Sequence, residues 1–106
     1  MRILLDECVP IQVGNALPAH EVSSAQRMGW GGRRNGALLD AAELARFDLL
    51  LVADKNLRFQ QNLTRRRLAI LELWTNHRPT LERHFDRIRA AAEALQPGQY
   101  RTLDSL

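Results

Sequence analysis

At 106 residues, 45% hydrophobic and 25% charged, the chain has the size and composition of one folded domain, which excludes two independent cores and a largely disordered or fibrous chain. No apolar run nears the ~20 residues of a spanning helix, and the run after Met1 is far shorter than a signal-peptide core, so the expectation is one cytoplasmic domain over residues 1–106 with no membrane partner. The net charge of +3 hides an asymmetry: residues 1–54 carry 5 basic and 7 acidic groups and residues 55–101 carry 10 and 4, so a half near −2 precedes a half near +6 that suits a polyanion.

Residues 2–6 (RILLD) are a short apolar run ending in acid, as expected of a strand buried on both faces of a parallel sheet. Pro10 suits a helix start, and Ile11, Val13, Ala16 and Leu17 give a loosely helical spacing that Pro18 stops. Residues 20–25 (HEVSSA) are a weaker strand. The Gly-rich segment 28–32 (MGWGG) must be a loop, and Trp30, set among its glycines, is the aromatic expected to be exposed. Asn35 can cap a second helix in which Leu38, Ala41, Ala42 and Ala45 recur at helical spacing up to Arg46.

Residues 48–53 (DLLLVA) form the clearest buried strand and, like the first, run into an acid, Asp54. A short helical turn over 55–63 and a strand over 67–74 (RLAILELW) follow. Pro79 opens the longest helix, with Leu81, Phe85, Ile88, Ala92 and Leu95 on one stripe, and Pro97-Gly98 closes it. Residues 99–103 allow a short edge strand. This β-α alternation predicts an α/β fold, a mostly parallel sheet of four to five strands covered by helices. Cys8 has no second cysteine to pair with and reads as a small buried hydrophobe. His20, His77 and His84 lack the spacing of a metal site and read as surface or capping residues.

In an open parallel sheet ligands bind beyond the carboxyl ends of the strands, where strand order reverses. If the strands that end in Asp6 and Asp54 are neighbours, Asp6, Glu7 and Asp54 converge there. Carboxylates so clustered repel unless a hard cation such as Mg²⁺ or Mn²⁺ joins them, and such a cation suits phosphodiester hydrolysis. For each acid alone, a helix cap or a solvated turn is an equal reading. Arg58, Arg65, Arg66 and Arg67 lie just downstream of Asp54 and offer phosphate contacts for RNA, with a solvated face as the equal alternative. Phe59 and Trp74 suit core packing better than base stacking.

At these residues the chain resembles the small PIN-like proteins of prokaryotes, a family associated with toxin–antitoxin pairs. The stretches that carry the resemblance are residues 2–10 (RILLDECVP), 28–32 (MGWGG), 35–39 (NGALL), 52–63 (VADKNLRFQQNL) and 97–100 (PGQY), together spanning nearly the whole chain. The resemblance implies a three-layer α/β/α sandwich and an acidic pocket carried over to Asp6, Glu7 and Asp54. It also implies Mg²⁺- or Mn²⁺-dependent cleavage of RNA, and it allows an antitoxin protein and a homodimer as partners. One departure bears on activity. Family members carry an acid near the start of the second helix, where this chain has Asn35, Gly36 and Ala37. Asp40 and Glu43 lie nearly one and nearly two turns beyond Ala37, and neither is a close replacement. A PIN-like module that binds RNA or protein without cutting is therefore the alternative reading. A receiver-like phosphoacceptor domain is a weaker one, because Thr75 is its only partial fit and the sole lysine, Lys55, stands beside Asp54.

Overall fold

The computed structural model describes residues 1–33, 35–53 and 66–104. Its strands are β1 (Arg2–Leu5), β2 (Glu21–Ser24), β3 (Leu49–Val52), β4 (Ala69–Leu73) and β5 (Tyr100–Leu103). All five pair in parallel, in the order β2-β1-β3-β4-β5. Residue chemistry explains the order. The three apolar runs RILL, LLLV and AILEL occupy the centre, where both faces are covered, and β3 and β4 are buried along their whole length. The polar strands EVSS and YRTL lie at the two edges.

One face of the sheet presents Ile3, Leu5, Leu49, Leu51, Leu71 and Leu73, packed against Val13, Leu17, Leu81 and Ile88. The other presents Leu4, Leu50, Val52 and Ile70 to Leu38, Leu39, Ala42 and Phe47. The alternation along each central strand thus sends successive leucines into two cores, giving an α/β/α sandwich. Among the described residues no helix is long and apolar enough to cross a membrane.

The helices depart from expectation in two places. The segment after Pro10 is a 3₁₀ turn, Ile11–Ala16, in which Val13 N–H donates to Pro10 O and Leu17 N–H to Gly14 O. The long helix expected from Pro79 is two helices, α2 (Arg78–Glu82) and α3 (Phe85–Ala94), following α1 (Asn35–Leu44) in the chain. At the break Arg83 N–H donates to Thr80 O and His84 N–H to Leu81 O, the three-residue spacing of a tightening last turn. The His84 ring meets the edge of Trp74, with ring centroids 5.3 Å apart. Leu81 and Ile88 still reach one core across the break, which is why the apolar stripe looked continuous. Asn35 is the first residue of α1 rather than its cap.

Helix α1 ends in a Schellman arrangement: Phe47 N–H donates to Ala42 O and Arg46 N–H to Glu43 O, both at 3.0 Å. The position that usually takes glycine is Arg46, at φ 64°. This turn delivers Phe47 to the core and Asp48 to the entrance of β3, where Asp48 Oδ2 accepts the Arg2 N–H at 2.8 Å.

Candidate functional site

The reversal of strand order falls between β1 and β3, with β2 outside one and β4 and β5 outside the other. Asp6 stands there. Its backbone N–H donates to Leu51 O at 3.0 Å, continuing the β1–β3 ladder by one residue, so the chain carries the acid directly to the carboxyl end of the sheet. β1 and β3 are neighbours, the condition on which the expected convergence of Asp6 and Asp54 depended. Asp54, Arg58, Arg65, Phe59 and the turn expected over 55–63 lie outside the described residues.

Glu7, half-buried next to Asp6, is tied to the Gly-rich loop. Gly32 N–H donates to Glu7 Oε2 at 3.2 Å, and Gln26 Nε2 donates to Glu7 O at 3.3 Å. Gly32 sits at φ 86°, a conformation that other residues adopt only with strain, and this presents its N–H to the carboxylate. Trp30, expected to be exposed, is half-buried. It packs against the core beneath α1, edge-on to Phe47 with centroids 6.1 Å apart, and its backbone N–H closes the loop onto Ala25 O at 2.8 Å. The guanidinium of Arg33 lies 5.7 Å from the Trp30 centroid. Cys8, expected to be buried, is exposed, because the chain leaves the sheet after Asp6 and turns back with Val9 N–H donating to Asp6 O.

The carboxylate oxygens of Asp6 and Glu7 are the hard donors that Mg²⁺ and Mn²⁺ prefer. Among the described residues no group of three or more His, Cys, Asp or Glu gathers closely enough to hold a metal. Asp6 and Glu7 are thus two oxygen donors of the right chemistry, and the third carboxylate expected beside them, Asp54, is outside the described residues.

Both acids of α1 are engaged away from Asp6. Asp40 pairs with Arg66 at 2.9 Å, and Glu43 Oε1 accepts the Leu68 N–H at the start of β4. Ala37, near the start of α1, is exposed. Arg66 and Arg67 precede β4, so the structure places both at the amino end of the sheet, opposite Asp6. A cavity of about 750 Å³ opens at that amino end, lined by Phe47, Asp48, Leu68 and Arg67 among others.

Glu72 escaped the sequence reading as a candidate. It is 6% exposed, the buried acid of β4, and its Oε1 accepts the Tyr100 hydroxyl proton in a short hydrogen bond. Extending the β1–β3 register by one residue sets Asp6 level with Val52, and Val52 is in register with Glu72. Asp6 and Glu72 thus share a level but are two strands apart, about 10 Å at the backbone. The signal was a lone charge inside an apolar strand, which must have a partner if the strand is buried. Trp74 is half-buried against the other core, as its packing reading required, with the Arg87 guanidinium 5.4 Å from its ring.

β5 ends at Leu103, followed by Asp104, where a receiver-like site would need a lysine, and Thr75 Oγ1 accepts the His77 N–H at 3.1 Å. No family model, no curated protein and no solved structure matches the chain.

Proposed function

We propose that the chain is a PIN-like, metal-dependent ribonuclease that hydrolyses RNA phosphodiesters, with Asp6, Glu7 and Asp54 holding Mg²⁺ or Mn²⁺. The observation that carries this reading is the position of Asp6 at the carboxyl end of β1, where strand order reverses between β1 and β3. When bound, the cation would supply positive charge that lowers the pKa of an attacking water and stabilises the leaving oxygen. The chain's own contribution is to hold Asp6 on a rigid strand end and Glu7 against the Gly32 N–H, so that the acids are oriented before substrate arrives.

The test is cleavage of a mixed single-stranded RNA pool by the purified chain with Mn²⁺, Mg²⁺ or EDTA, alongside Asp6→Asn and Asp54→Asn. Cleavage that needs the metal and vanishes in both variants is the expected result. A toxin role would follow from growth inhibition that disappears with either substitution, and would make an antitoxin protein the natural partner.

A second reading, a PIN-like module that binds RNA or protein without cutting, is favoured by the start of α1. Ala37 is exposed where the family carries an acid, and Asp40 and Glu43 are engaged elsewhere. Under that reading the wild-type chain binds the RNA pool without cutting it in any metal.

A further inference from the structure

We propose that the cavity at the amino end of the sheet is a binding site for a small organic phosphate monoester, held by the guanidinium groups of Arg46 and Arg67. It lies at the opposite end of the strands from Asp6 and goes beyond the nuclease reading. Its volume of about 750 Å³ is within the roughly 300–1,000 Å³ typical of small-ligand sites.

The two arginines of the lining point to an anion. Among the described residues the charged side chains lining the cavity are the acids Glu43 and Asp48 and the arginines Arg46 and Arg67, both of them exposed. The two acids already serve the backbone, because Glu43 Oε1 accepts the Leu68 N–H at 3.2 Å and Asp48 Oδ2 accepts the Arg2 N–H at 2.8 Å. Among the described residues neither arginine side chain has a hydrogen-bond or ion-pair partner. Two unpaired guanidinium groups in one concavity suit the two charges and several acceptor oxygens of a phosphate monoester. Leu44, Phe47, Leu95 and Pro97 line the same cavity and give the organic part an apolar wall.

Both arginines are placed by backbone devices. Arg46 occupies the left-handed position at the end of α1, at φ 64°, where glycine would be less strained. The carbonyl of Arg67 accepts the Gly98 N–H at 2.8 Å, and Gly98 approaches so closely that a Cβ there would stand 2.9 Å from Arg66 O. The α1 turn and the turn before β5 thus fix the backbones of both arginines at the rim of one cavity, where their side chains are exposed.

The test is a titration of the ¹⁵N-labelled full chain with AMP in EDTA, which removes any contribution of a metal at Asp6. Saturable shifts of the amides of residues 44–49 and 67–69 are expected. Adenosine, lacking the phosphate, should bind at least about tenfold more weakly, as should AMP to Arg46→Gly and to Arg67→Ala. Arg46→Gly keeps the left-handed turn, so its fold is preserved while the guanidinium is lost. A 5′-phosphorylated oligoribonucleotide that shifts the same amides would identify an RNA end as the source of the phosphate, and AMP alone would identify a free nucleotide. Absence of saturable shifts at these amides, adenosine binding as well as AMP, or wild-type affinity in both variants would overturn the proposal.

Discussion

Gly32 N–H and Glu7 Oε2 meet at 3.2 Å, so the acid beside Asp6 is also the anchor of the loop that carries Trp30. A carboxylate accepting a backbone N–H is a charge-assisted bond, and its loss leaves both groups to water at this half-exposed position.

The two roles of Glu7 separate by substitution. Glu7→Gln keeps an acceptor oxygen for Gly32 and should retain slow exchange of the Gly32 amide, whereas Glu7→Ala should speed it and cost about 0.5–1.5 kcal/mol of stability. If Glu7 also holds the metal, RNA cleavage falls in both variants. If it only anchors the loop, Glu7→Gln cuts like the wild type. Amide exchange and cleavage on the same preparations decide between the two.

Tyr100→Phe should destabilise the chain by about 1–3 kcal/mol, because it removes the donor from a buried carboxylate without removing the carboxylate. Glu72→Leu, alone or with Tyr100→Phe, should be far milder, since the acid leaves together with its need for a partner. Thermal unfolding checks the order: the single Tyr100→Phe variant should melt lowest, and equal melting of Tyr100→Phe and wild type would show that the hydrogen bond contributes nothing net.

Arg46→Gly should stabilise the chain by about 0.5–1 kcal/mol, a rise of several degrees in Tm for a domain of this size, because glycine tolerates the left-handed turn that closes α1. A lower Tm would mean that the Arg46 side chain contributes more to stability than its backbone costs.

The central sheet was legible because burial on both faces demands uninterrupted apolar runs, and RILL, LLLV and AILEL supply them. The position of Asp6 followed directly, since an acid ending such a run must leave the sheet. Arg66 and Arg67 were illegible for a topological reason. Both are close in sequence to Asp54, but parallel pairing of β3 with β4 returns the chain to the amino end before β4 begins. The break between α2 and α3 was hidden because Leu81 and Ile88 keep facing one core across it. The burial of Trp30 was hidden because glycine neighbours describe the backbone of a loop and say nothing of where one ring finds its contacts. Glu72 was passed over within an apolar strand because its partner, Tyr100, comes 28 residues later.

Gly98→Ala should be among the more damaging single-methyl changes in the chain. Gly98 has φ 79°, a left-handed conformation that strains alanine, and the added Cβ would stand 2.9 Å from Arg66 O, a backbone atom that cannot swing aside. The Gly98 N–H also holds Arg67 O at 2.8 Å, so relief of the clash by moving the turn sacrifices that bond. Strain and a weakened hydrogen bond together place the expected cost at about 2–3 kcal/mol. Urea unfolding measures it. The same substitution shifts the Arg66–Arg67 backbone at the amino-end cavity while leaving Asp6 untouched, so AMP binding should weaken in the variant and any RNA cleavage should persist in its folded fraction. Full retention of stability would show that the turn before β5 yields to the methyl group, and with it that Gly98 does not hold Arg67 in place.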